Sequence, residues 1–356
     1  MDSPRLKMHP PSIVAFFKSS SKKKIIINEP KEKSATCEIS FNRVKYLPLK
    51  GLVLSMVSGV FYALVALLVK EMENISPGQL SVYRSSALFV FTLPQVIKCR
   101  ENLLGEKGYR LQLLIAGVVG SFNLIFSFIT FRHLPLGVGS VIIFSSPITV
   151  TVGAKVLLKE PCGIMQTVAL VLTAFGIFLN SKVPNMWTDA EVIFSGTYLY
   201  GFLAGIGTLL CATGRYLLVR KLKHIHHSVV IFNYGCIAVV ITSLFTLVTD
   251  NFKAVYCGYQ GVYIIAIGFF SYFGQILLTR AFQCENAGPV MTSRASSEIV
   301  LSFLFQTLIF HDKPDVFSIS GAFLVGICII FIGLQKWIDS LPKDSIHRKN
   351  FEWINK

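Results

Sequence analysis

The chain has 356 residues, of which 53% are hydrophobic and only 15% charged, with 29 Phe, 12 Tyr and a formal net charge of +15. A soluble domain carries about a quarter of its residues as charges to cover its surface, and a disordered chain lacks this many aromatics. Composition therefore excludes both classes and leaves an integral membrane protein.

The first 50 residues form a polar, basic tail, expected to be disordered and cytoplasmic. It holds 11 Lys/Arg and has no short apolar run ahead of a cleavage site, so it does not read as a cleaved signal peptide. Ten apolar runs follow, over 51–69, 80–97, 111–131, 136–157, 164–180, 195–219, 228–248, 261–282, 287–310 and 317–335. Most approach the roughly 20 residues that span a bilayer as a helix, and none alternates as a barrel strand does. The expected fold is an all-α integral membrane protein of ten transmembrane helices. A C-terminal tail, 336–356, closes the chain.

Basic residues orient these spans. With the N-terminus in the cytoplasm, inside segments hold 26 Lys/Arg and outside loops hold Lys70, Arg132, Lys182, Lys253 and Lys313. Cytoplasmic loops concentrate Lys and Arg, so both termini are expected inside. One sequon, Asn74-Ile75-Ser76, falls on the outer side in a loop too short to favour its use. The eight Cys are scattered without a CxxC, which gives no zinc site, no redox motif and no disulfide framework. No Walker A, GxSxG, HExxH or usable GxGxxG is present. Neither a catalytic constellation nor a cofactor is expected.

Shifting the sequence by 152 residues lays GSFNLIFSFITFRHLPLGVGSVIIFSSP over YFGQILLTRAFQCENAGPVMTSRASSEI. Asn123 falls on Gln275, Ser127 on Thr279, Ser140 on Thr292, Ser145 on Ser297 and Glu160 on Asp312. Two halves of five spans follow, 51–180 and 195–335, joined by an outer linker at 181–194. Because five is odd, the second half inserts inverted. Inverted repeats are a transporter architecture with the substrate site near mid-membrane.

Three motifs carry a family resemblance: SVYR in the second span, VIIFSSP through LLKEP in the fourth, and GQILLTRAFQCENAGPV across the eighth and ninth. They resemble the solute carrier 35 family, more closely its G branch, within the EamA-type drug/metabolite transporters. The resemblance covers about 50–336. It implies ten helices in two inverted five-helix repeats, cytosolic termini and carriage of organic, often anionic, metabolites. The chain departs from the pattern in the ninth span, where Glu298 stands near the position of the fourth span's SSP element.

Charges inside spans are the sharpest functional signal. Each costs about 2.5–3.5 kcal/mol to insert at a helix centre. The ninth span carries Arg294 and Glu298 four residues apart, on one helix face, where they pair or meet substrate. Arg84, early in the second span, is read as a cation facing the cavity, and its guanidinium fork suits carboxylate or phosphate. Arg215 and Arg280 are expected to anchor inner helix ends. Asn123 and Gln275, with Tyr83, either hydrogen-bond a neighbouring helix or contact substrate, and Pro147 is either a packing kink or a hinge. The basic loop Arg220–His227 reads as a solvated inner loop, and no metal site is expected there.

The expected function is secondary transport of a small organic, anionic metabolite by alternating access. Its expected partners are that small molecule and the lipid bilayer, with no nucleic acid. A homodimer or a membrane-protein partner stays open, as does the choice among plasma membrane, endoplasmic reticulum and Golgi. The alternative is a non-transporting regulator that binds other membrane proteins.

Overall fold

The computed structural model describes residues 49–72, 75–99, 102–134, 136–160, 163–180, 196–249, 252, 258–309 and 316–340. The expectations for the N-terminal tail, Asn74, the linker 181–194, Asp312 and nearly all of the C-terminal tail lie outside these residues. The described part is helical throughout. In chain order the helices are α1 (Lys50–Glu71), α2 (Pro77–Lys98), α3 (Arg110–His133), α4 (Leu136–Phe144), α5 (Ser146–Gly153), α6 (Ile164–Asn180), α7 (Gly196–Lys221), α8 (His227–Thr249), α9 (Tyr259–Cys284), α10 (Ala287–Leu308) and α11 (Val316–Ser340).

Among the described residues, seven stretches are long and apolar enough to cross a membrane: α1, α2, α3, the stretch Val141–Leu158, α7, α8 and α9. Three of the ten predicted runs fall short by length and composition. Helix α6 and the apolar part of α11 are shorter, and α10 carries Arg294 and Glu298 among its Ser and Thr residues. Large apolar side chains face outward. On α8, Val240, Leu244, Leu247 and Val248 are all exposed at helical spacing, a continuous stripe that water would penalise and acyl chains accept.

Local chemistry sets the helix ends. Ser76 caps α2 by accepting from the Gln79 amide at 3.3 Å, with Pro77 next in line, the arrangement in which a missing N–H costs nothing. Between α4 and α5 the chain breaks at Ser145, two residues before Pro147. Proline there removes a donor and crowds the preceding turn. Helix α5 then widens into a π-helical turn, Ala154–Leu158, which ends at Lys159 with φ 55°. This left-handed residue, common just past helix ends, turns the chain so that Glu160 points back under the bundle. Against the expectation of no disulfide, Cys99 is disulfide-bonded, whereas Cys211, Cys236 and Cys284 carry free thiols.

Packing is dominated by pairs distant in sequence: α1 with α9 and α10, α3 with α7 and α8, α2 with α8 and α9, α5 with α7 and α10, and α6 with α11. Small residues let these helices approach. A methyl on Gly59 would lie 2.6 Å from the Arg294 carbonyl oxygen, and one on Gly235 3.0 Å from the Phe89 backbone nitrogen. Hydroxyls add interhelical bonds, as where Ser58 donates to the Gly274 carbonyl at 2.7 Å. The largest apolar cluster, with Leu54, Val150, Leu217, Phe282 and Met291, fills the bundle end where α1 and α10 begin and α7 and α9 finish.

Candidate functional site

A cavity of about 360 Å³ opens inside the bundle. It runs from the middle of α10, at Arg294 and Glu298, toward the α1–α2 connection, at Val69, Leu80 and Phe131. Helices α1, α2, α3, α4, α5, α7, α9 and α10 all contribute to its wall. Most of the wall is apolar, and its polar groups are few and convergent, the usual composition of a small-molecule site.

Arg84, Arg215 and Arg294 all line this cavity, and so do Glu298 and Asn123. Arg294 donates to Glu298 at 2.8 Å, so the i,i+4 pair foreseen on one helix face is formed. The Arg294 guanidinium lies 4.3 Å from the ring centroid of Tyr62 and that of Arg84 lies 5.3 Å from it. Tyr62 on α1 therefore serves as a shared aromatic floor for two cations.

Arg215 departs from expectation. It was read as an anchor near a helix end, yet it is 4% exposed and faces the cavity. The reason is length: α7 continues to Lys221, which sets Arg215 nearly two turns inside the helix. Its guanidinium lies 3.8 Å from the Tyr234 ring centroid and donates to the Gln275 side-chain oxygen at 3.0 Å. Gly120 on α3 makes the space, because a methyl there would come within 2.8 Å of both Arg215 and Tyr234.

Gln275 and Tyr83 are placed differently from the other candidates. Gln275 is not among the cavity-lining residues. It stands behind the wall, where its side-chain oxygen accepts from Arg215 and from the Tyr62 hydroxyl at 2.8 Å. It holds two cavity-lining residues, Arg215 and Tyr62, in place. Tyr83 does not line the cavity either, and its hydroxyl accepts from the Gln79 amide at 2.8 Å. Adjacent residues on a helix point about 100° apart, so the turn that aims Arg84 inward aims Tyr83 elsewhere. Pro147 is buried beside Ser146, which does line the cavity.

Sequence reasoning missed Tyr62, Tyr216 and Tyr234. No local pattern marks them, and they become site residues only because α1, α7 and α8 bring them under the arginines. Several buried polar atoms here have no hydrogen-bond partner among the described residues: Arg84 Nε, Asn123 Oδ1 and Arg294 Nε. Unpaired buried polar atoms are costly, and at a cavity wall they are atoms a ligand or water can satisfy.

The opposite end of the bundle is tied shut. Arg220, at the end of α7, pairs with Glu160 at 2.7 Å, donates to the Phe282 carbonyl at 2.7 Å and to the Asn286 side-chain oxygen at 3.0 Å. The second oxygen of Glu160 accepts from the Ala287 amide at 2.8 Å, at the start of α10. One carboxylate thus satisfies a helix N-terminus and a guanidinium together. The expectation of a merely solvated inner loop fails for Arg220 in this respect.

An apolar helical bundle with a guanidinium-lined cavity at its centre defines a membrane transporter. Residues 49–182 match the EamA-like transporter family. The chain is 28% identical over 295 residues to solute carrier family 35 member G1 of Homo sapiens, covering 82% of this chain and 80% of that protein. It is 25% identical over 287 residues to the pseudopaline exporter of Pseudomonas aeruginosa, covering 80% and 96%. A protein known from its crystal structure shares the fold, with a TM-score of 0.66 at 13% identity over 82% of this chain and 99% of its own. Residues 49–182 thus match an EamA-like transporter domain, and over most of its length the chain is similar to the G1 members of solute carrier family 35. These relatives are named as a solute carrier and an exporter, the names of transporters.

Proposed function

We infer that the protein is a secondary carrier that moves a small organic anion, a carboxylate or a phosphorylated solute, by alternating access. The observation that carries this reading is the convergence of Arg84, Arg215 and Arg294 on one cavity whose wall holds a single carboxylate, Glu298, among the described residues. Guanidinium groups inside a bilayer are expensive unless they serve a wet, internal site, and their planar forks match carboxylate and phosphate oxygens. The name of the bacterial relative, a pseudopaline exporter, supports transport as the activity.

The architecture proposed is ten spans in two inverted halves, over 51–180 and 195–335, with both termini cytoplasmic. Helix packing supports it. Exchanging the halves turns the α1–α9 contact into α7–α3, α1–α10 into α7–α5, and α3–α8 into α9–α2. All of these contacts exist, while α2–α8, α5–α10 and α6–α11 map onto themselves. The strong Lys/Arg bias of the inner segments supports the orientation. On this reading the Glu160–Arg220 tie closes the cytoplasmic end, and Pro147 is the hinge that lets α4 move against α5.

Purified protein in liposomes tests the proposal. Uptake of a labelled carboxylate or phosphorylated solute is expected in the wild type, with at least about a tenfold loss in Arg84→Ala, the size expected from removing a charge-assisted contact. A protein that takes up no anion, or an Arg84→Ala variant at full rate, rejects it. Capture of membrane proteins without uptake would favour the regulator instead. The tie gives an independent check. Glu160→Gln is expected to change the transport rate several-fold while leaving ligand affinity nearly unchanged, because it alters a closing step remote from the cavity. A parallel change in affinity would place Glu160 in the site itself.

A further inference from the structure

The reading above names an anion without saying how many charges it carries; the cavity's own charges address that question, and the inference rests on that reading. Arginine stays protonated at any physiological pH. Glu298 is the one carboxylate among the described lining residues, and it is committed to Arg294 at 2.8 Å. Three cations against one ionised carboxylate leave two positive charges uncancelled. They belong to Arg84 and Arg215. Arg84 makes no hydrogen bond or ion pair among the described residues; it contacts the Tyr62 ring and lies within longer-range electrostatic reach of Glu298, whose direct partner is Arg294. The supports of Arg215 are all neutral: the Gln275 side-chain oxygen and the rings of Tyr234 and Tyr216.

A cation withdrawn from water without a counter-charge is strongly unfavourable. A singly charged ligand would leave one of the two uncancelled. A doubly charged one offsets both. A triply charged one sets its third charge against Glu298. The two free guanidiniums also come from different halves of the bundle, α2 and α7. A ligand with two separated anionic groups touches both halves at once.

The geometry points to a cavity selective for compact organic dianions, with one anionic group on Arg84 and the other on Arg215, and Arg215 setting the preference over monoanions. A cavity of about 360 Å³ lies at the low end of ligand-pocket volumes. That favours a dicarboxylate or a small phosphomonoester over a nucleotide sugar.

The test is a binding titration of purified full-length protein near neutral pH with four probes: succinate, sn-glycerol 3-phosphate, monomethyl succinate and dimethyl phosphate. The first two are close to doubly charged there, given a phosphomonoester second pKa of about 6, and the last two are their singly charged counterparts. At least one dianion is expected to bind about ten- to a hundredfold tighter than its counterpart, as for the loss of one charged contact. Preference for succinate alone assigns the site to carboxylates, and preference for glycerol 3-phosphate alone assigns it to phosphate. In Arg215→Gln the discrimination is expected to collapse while monoanion binding survives. Glu298→Gln adds a third uncancelled charge and is expected to shift preference toward the tricarboxylate tricarballylate. The wild-type titration decides the charge preference even where a variant fails to fold. Equal affinity for monoanion and dianion overturns the inference and leaves the carrier reading standing. Full discrimination in a folded Arg215→Gln overturns the role of Arg215. Binding of none of the probes overturns both.

Discussion

Arg294→Met, made with Glu298 left in place, is expected to be among the most destabilising single changes in the bundle. The pair is 14% and 12% exposed and joined at 2.8 Å. Removing one member of a buried pair strands the other charge, at a cost of about 3–5 kcal/mol. Some hydration from the cavity draws the expected value toward the lower figure. The variant also loses the Arg294–Tyr62 contact at 4.3 Å, so the floor of the cavity loosens with it. Thermal unfolding in detergent measures the effect. The double variant Arg294→Met/Glu298→Leu is expected to recover most of the lost stability, since apolar replacements of both partners remove the stranded charge. It is not expected to recover uptake. A single variant as stable as wild type would mean that the pair is solvated and that α10 inserts without needing it.

Gly59→Ala is the second change with a large expected effect, and it adds only a methyl group. That methyl would meet the Ser297 hydroxyl and sit 2.6 Å from the backbone oxygen of Arg294 and 3.2 Å from the Glu298 nitrogen. A side chain can rotate away, but a helical carbonyl cannot. Helices α1 and α10 must separate, and overpacking of this kind typically costs 1–3 kcal/mol. Function is expected to suffer more than stability. The contact lies on the very residues that present Arg294 and Glu298 to the cavity, and displacement of a site by about 1 Å can cost about a hundredfold. Gly326→Ala is the control. Nothing among the described residues lies within 4 Å of a methyl there, and alanine is the better helix former by about 1 kcal/mol. Normal uptake is expected from that variant. Comparable loss in both would mean that the bundle rejects any added bulk, and that the α1–α10 crossing is not special.

The membrane class, the likeness to EamA-type transporters and the Arg294–Glu298 pair were legible in the sequence because each is local. Composition and hydropathy need no packing information, and an i,i+4 spacing fixes a shared helix face wherever the helix ends up. The break before Pro147 was legible for the same reason. The remaining site residues come from elements far apart in the chain. Gln275 holds Tyr62 across 213 residues and Arg215 across 60, and no periodicity within one helix encodes such partners. Arg215 was misplaced by a boundary error: two further residues at the end of α7 turn an apparent surface anchor into an interior group. Tyr83 lies off the cavity wall and bonds Gln79, since neighbouring residues on a helix do not share a direction.

The apolar cluster of Leu54, Val150, Leu217, Phe282 and Met291 has an electrical consequence for the host membrane. On the carrier reading, a charged hollow that met water on both sides would let small ions drain through, at about 2.3 kcal/mol of driving force per charge for each 100 mV. The greasy stopper beneath the hollow would interrupt that path and let the membrane keep its voltage while no cargo is bound.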